Sequence, residues 1–146
     1  MTAYWPTVRA RLVTLLPTLL DDAVVVFDGP SAGREKGAHQ YVTVGASLES
    51  GSGTYEQPDS PISGNVREER GEVVCEFVDW SGDLDAPTRL LAVFANADLL
   101  EHAVRADQTL GVLPAGSTTS LAGDPIVTPT AARLVVTVAY FIPVSA

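Results

Sequence analysis

The sequence predicts an α+β fold, a single domain in which a mostly antiparallel or mixed β-sheet is covered on one face by two α-helices. Three observations predict it. Short apolar runs with a two-residue period recur along the chain, at Gln40 to Leu48, Val73 to Trp80 and Arg133 to Ile142. The two convincing helical stretches, near the N-terminus and after Asp83, instead show apolar residues at three- and four-residue steps. The order is helix, strand, strand, long arm, strand, helix, strand, strand, which departs from strict alternation and suits helices segregated to one side of a sheet. A chain of 146 residues fits one domain over 1–146, large enough to bury a core without staples.

The first helix is expected from about Ala3 to Leu16, with Pro6 in its first turn and Val8, Leu12, Leu15 and Leu16 on its apolar face. Pro17 should end or kink it, because proline lacks the N–H donor and crowds the preceding turn. Arg9 and Arg11 before the apolar Leu12 to Leu20 superficially resemble a signal peptide. Pro17 interrupts that run and Asp21 and Asp22 follow it, so a helix is the better reading, and no stretch is long enough to span a bilayer.

Ala23 to Phe27 reads as a short buried strand, broken by Asp28-Gly29-Pro30. A second strand covers Gln40 to Leu48. Glu49 to Asn65 then carries Gly51, Gly53, Pro58, Pro61 and Gly64 among many Ser and Thr, and reads as a long loop or β-hairpin arm. It is either an ordinary connection or a binding arm, and Tyr55, alone among polar neighbours, is its best anchor.

Arg67 to Gly82 is the central strand and the turn that launches the main helix. Val73, Cys75 and Phe77 share one face, while Glu72, Val74, Glu76, Val78 and Trp80 share the other. An apolar face opposite a half-apolar one suits helices on one side and a protein partner on the other. The main helix follows, with Asp83 or Asp85 as cap and Pro87 in its first turn. Its stripe is Leu90, Val93, Ala97, Leu100 and Val104, widened by Leu91 and Phe94, and it ends near Arg105. Thr118 to Ala122 is a short strand, Gly123-Asp124-Pro125 a turn, and Ile126 and Val127 a possible extension. Arg133 to Ile142 is apolar on both faces and belongs inside the sheet.

Composition narrows the function. A formal charge of −9 and the lack of any basic block argue against a general phosphate-binding surface. A single cysteine, Cys75, excludes an intramolecular disulfide and a CxxC zinc cluster, and its apolar neighbours make it a small core residue. No Walker loop, dinucleotide fingerprint, nucleophile elbow or HExxH helix is present, and no cofactor is expected. The only raw material for an enzyme is acidic: Asp21, Asp22 and Asp28 around the first strand, with Asp79 and Asp83 around the turn after the central one. These would bind a hard cation if they converged, but Asp at strand ends ordinarily makes turns and caps.

Arg67-Glu68-Glu69-Arg70 puts one charge of each sign on each face of an extended segment. That pattern fits reciprocal pairing between repeated subunits, or a solvated strand start that discourages edge aggregation.

In combination, several segments resemble the tail terminator (tail-completion) proteins of long-tailed bacteriophages and prophages of actinobacteria. They are Val25 to Pro30, Tyr41 to Gly45, Arg67 to Val73, Trp80 to Asp83, Arg105 to Asp107 before Leu110-Gly111, and Val136 to Tyr140. The likeness runs through nearly the whole chain in order, departing at Pro17 and at Asp124 to Thr130. It implies a non-enzymatic α+β protein that forms a ring, usually of six copies, on the head-proximal end of the tail tube. Such a ring stops tube polymerisation and offers a surface to the head's connector or head-completion protein, while DNA passes through its bore. The implied location is the virion tail or neck, after assembly in the host cytoplasm, with no membrane partner. The expected subunit or tube interface comprises Tyr55 and Glu56 on the arm, Arg67, Glu69 and Arg70 at the strand start, and Trp80. Another neck or head-closure connector shares the same lack of chemistry, and a small metal-dependent acid-base enzyme is the reading from a different class.

Overall fold

The computed structural model describes residues 3–29, 39–46, 51–57, 68–80, 86–129 and 131–143. Its elements are α1 (Trp5–Leu19), β1 (Val25–Asp28), β2 (Gln40–Val44), β3 (Gly53–Glu56), β4 (Glu69–Asp79), α2 (Ala86–Ala106), β5 (Thr118–Val127) and β6 (Ala132–Ile142). All six strands form one sheet in the order β1-β2-β4-β6-β5, with β3 also paired to β4. Only β1 and β2 run parallel; every other pairing is antiparallel. Both helices pack on the same face, α1 over β1, β2 and β4, and α2 over β4, β5 and β6. This is the α+β architecture that the sequence predicts.

The core follows the two periodicities. Val8, Leu12 and Leu16 from α1 and Val93, Leu100 and Val104 from α2 meet Val42, Val44, Val73, Cys75, Phe77, Leu134, Val136 and Val138 of the sheet. In β4 and β6 the inward residues are matched across the strands, Val73 to Val138, Cys75 to Val136 and Phe77 to Leu134. A one-residue slip would turn this whole set outward, so the register is strongly specified.

Several elements run further than expected. Helix α1 continues through Pro17 to Leu19, and the Leu20 N–H still donates to the Leu16 carbonyl at 3.0 Å. Pro17 falls in the last turn, where it removes one hydrogen bond, and the burial of Leu16 and Leu20 on either side holds the turn together. Strand β5 runs unbroken through Gly123-Asp124-Pro125, every residue in register with β6. It is an edge strand, and an edge is where a sheet accepts a residue without an N–H. The arm contains a strand, β3, antiparallel to β4, so its first part is one side of a hairpin; 58–65 lie outside the described residues. Strands β2 and β3 lie end to end along one side of β4. Gly45 N–H donates to the Val74 carbonyl at 2.8 Å, and Val74 N–H donates to the Ser52 carbonyl at 3.0 Å.

Cys75 is fully buried, and burial raises its thiol from the ordinary 9.0 to about 12. A proton held more tightly in the folded than in the unfolded state stabilises the fold below the unfolded value and loses that contribution as pH rises toward the folded one. Between about pH 9 and 12 the wild type should therefore lose stability faster than Cys75→Ala, by up to about 1.4 kcal/mol per pH unit. Urea titrations across that range check it, and parallel curves for the two proteins would refute it.

Candidate subunit interface

The residues singled out at the start of β4 separate by strand alternation. Glu69 points to the helix side and is 3% exposed. Its carboxylate accepts the Tyr4 backbone N–H at 3.0 and 2.9 Å, the Gln57 amide at 2.6 Å and the Tyr140 hydroxyl at 2.5 Å. Tyr4 is the N-cap position of α1 and makes no side-chain cap bond, so Glu69 supplies the missing acceptor from a distant strand. Negative charge also suits that end of the helix dipole. The phenol of Tyr140 is pushed up by burial and by the charge it faces. Glu69 is therefore committed inside the subunit, which corrects its assignment to an intersubunit pair.

Arg70 takes the other face. It lies over the Phe141 ring at 5.2 Å and pairs with Glu68 at 3.4 Å, a contact within one chain that leaves the guanidinium largely exposed. Arg67 lies outside the described residues. Tyr55 and Glu56 are exposed on β3, Tyr55 by 56%, beside a shallow recess shared with Arg70, Gly71 and Glu72. Trp80 sits at the opposite end of β4, partly exposed, with its N–H on the His39 carbonyl at 2.9 Å. Ten residues of extended strand separate Arg70 from Trp80, roughly 33 Å at about 3.3 Å per residue. The candidates thus divide between the two faces of the β3–β4 pair, Glu56 and Arg70 on one and Tyr55, aligned with Gly71, on the other, with a separate site at Trp80.

Glycines shape the contact between β3 and β4. Tyr140 lies against Gly71 so closely that a Cβ there would come within 2.5 Å of its ring and hydroxyl. Gly53 has φ +133, and a Cβ on it would collide with the Glu72 carbonyl oxygen. The Trp5 indole N–H donates to that same carbonyl at 2.7 Å. Aromatic residues of α1 and β6 therefore rest on bare backbone where β3 meets β4.

The second face of β4 is less open than its composition suggests. Val74, Glu76 and Val78 are 4%, 3% and 2% exposed within the single chain. Phe27 and Tyr41 meet edge to face at 5.8 Å and cluster with Val78. Glu76 forms an ion pair with Arg133. Burial works to lower the Arg133 pKa, but the bond to Glu76 and the charges of Glu76 and Tyr41 outweigh it and hold the guanidinium firmly charged. From Val74 to Val78 this face is covered within the single chain, while Glu72 and Trp80 toward its ends are exposed.

What the periodicity misplaces is on α2. Leu91 and Phe94, read as part of the buried stripe, are 72% and 39% exposed, and Leu99 is 41% exposed. The helical step explains Leu91: two residues before the buried Val93, it points about 200° away.

The strand-end aspartates stay apart. Asp28 aligns with Val44 and Asp79 with Gln40, at opposite ends of β2, roughly 13 Å along the strand. Asp28 is ion-paired with Arg9, Asp79 is buried against the Gln40 amide at 3.1 Å, and Asp21 accepts the Ala23 N–H at 2.9 Å. Asp83 lies outside the described residues. Among the described residues no three His, Cys, Asp or Glu side chains group to hold a metal ion, and no helix is long and apolar enough to cross a membrane. In comparisons with known proteins, the chain matches no family profile and no curated sequence.

Proposed function

We propose that this protein is a ring-forming phage tail-completion subunit, acting by fit to copies of itself and to the end of a tail tube. One observation carries the reading. Four of the six quoted segments that resemble tail terminators fall on β1, β2, β4 and β6, which are consecutive neighbours in the sheet, and the other two follow β4 and the end of α2. Resemblance scattered along the chain thus becomes one continuous piece of the fold. The two edges of the sheet are also unlike, β1 and β3 on one side and the ten-residue β5 on the other. Unlike flanks suit the heterologous contacts from which rings are built, in which one patch meets a different patch on the next copy.

In this reading the partners are further copies of the chain, the tail tube protein and the head-completion or connector protein. Tyr55 on one face of the β3–β4 pair, and Glu56 with Arg70 on the other, offer exposed aromatic and charged surfaces for these contacts. A chain of net charge −9 repeated around a ring repels the DNA backbone, which favours passage over retention. Deleting the gene from its phage should give overlong tubes that fail to join filled heads. Tails of normal length on filled heads would overturn the proposal.

A further inference from the structure

Helix α2 presents an apolar ridge to solvent. Val93, Leu100 and Val104 anchor it to the core, while Leu91 and Phe94, neighbours at a three-residue step, are 72% and 39% exposed on another side. Asp98 lies beside them, exposed and without an ion pair among the described residues, whereas Glu101 is held by Arg105 at 2.6 Å. Large exposed apolar side chains gathered on one element mark a surface that is covered in the assembled protein.

The same chain carries a counterpart. Pro6, Thr7, Ala10, Arg11 and Thr14 of α1, with Val112 beyond α2, line an open groove of about 530 Å³. Its floor is made of small side chains, and Val112 adds an exposed apolar wall. The Arg11 Nε–H donates to the Leu110 carbonyl at 2.8 Å, which holds the guanidinium at the groove; among the described residues no carboxylate is in ion-pair contact with it, and Asp107 feels its charge only as a minor influence. α1 contains Arg9 and Arg11 and no acidic residue, in a chain whose net charge is −9. Self-association of so acidic a chain is opposed by its own charge, so a self-contact is favoured where a basic helix meets a carboxylate. α1 covers β1, β2 and β4 while α2 covers β4, β5 and β6, so ridge and groove occupy different parts of the helix layer.

We propose that the α2 ridge of one copy docks in the α1 groove of the next, with Leu91 and Phe94 on the small-residue floor and Asp98 facing Arg11. Two different patches meet, so the contact is head-to-tail and repeats around a ring. This inference rests on the ring reading above and assigns it a specific surface.

Cysteine cross-linking tests it, because buried Cys75, with its thiol raised to about 12, stays silent. Full-length chains bearing Phe94→Cys and Ala10→Cys, mixed and treated with a short bismaleimide, should couple to each other. The rate should exceed that of a control pair, Phe94→Cys with exposed Ser120→Cys, by about tenfold. Chains bearing both Phe94→Cys and Ala10→Cys should give a ladder that closes into a ring. Coupling no faster than the control, or Phe94→Cys coupling preferentially to itself, would overturn the contact. If native mass spectrometry finds a wild-type ring without the specific cross-link, the ring stands and this surface falls. A specific cross-link whose ladder never closes leaves the surface intact and removes the ring.

Discussion

Replacing Glu69 with alanine should destabilise the isolated subunit by about 3–4 kcal/mol, because one buried and one partly buried donor lose their acceptor at about 1–3 kcal/mol each. The donors are the Tyr4 N–H at the start of α1 and the Tyr140 hydroxyl in the core. Loss of a helix N-cap alone typically costs about 1 kcal/mol, which places the rest on Tyr140 and the surrounding burial. Glu69→Gln keeps the shape and one acceptor and should cost about half as much, within the range for a single charged hydrogen bond. Urea denaturation of the monomer reads both. A loss under about 1 kcal/mol for the alanine variant would show that water or a neighbour replaces the carboxylate. The same experiment separates two roles for this residue, since an intersubunit pair would weaken assembly and leave monomer stability untouched.

Gly71→Ala is the second large effect, at about 2–3 kcal/mol, in the upper part of the range for overpacking. The added methyl lands within 2.5 Å of the Tyr140 ring. That ring cannot simply swing away, because its hydroxyl is tied to Glu69 and the side chain is buried. The two substitutions should therefore be non-additive: in a Glu69→Ala background the tether is gone, and Gly71→Ala should cost at least about 1 kcal/mol less. A double-mutant cycle measures the coupling, and strict additivity would mean that Tyr140 moves freely. Gly71 lies opposite Tyr55 on the same face of the β3–β4 pair, so the variants should also shift the Tyr55 environment, readable by nuclear magnetic resonance.

The layer architecture was legible because it rests on periodicity. Val73, Cys75 and Phe77, or Val93, Ala97, Leu100 and Val104, can be buried together only on one face of a strand or helix. Boundaries were less legible where a local breaker met a tertiary partner. Pro17 and Pro125 both read as stops, yet flanking burial at one and an edge position at the other absorb the missing N–H. β3 was hidden within a Gly- and Pro-rich arm because four residues carry little pattern, and only pairing with β4 makes them a strand.

For the candidate interface, the chemistry of single residues was visible and their direction was not. Arg70 and Tyr55 stay on the surface as their polarity or isolation suggested, whereas Glu69 is drawn inside by donors 65 and 71 residues away. Leu91 and Phe94 go the other way, apolar by type and exposed by their angle on the helix. By itself the sequence determined the two helices, the longer strands and the residues that face the core between them, since those depend on spacing along the chain. Tertiary structure alone decided which charge is neutralised within the subunit and which apolar side chains remain outside, because both depend on groups that meet only when distant segments pack.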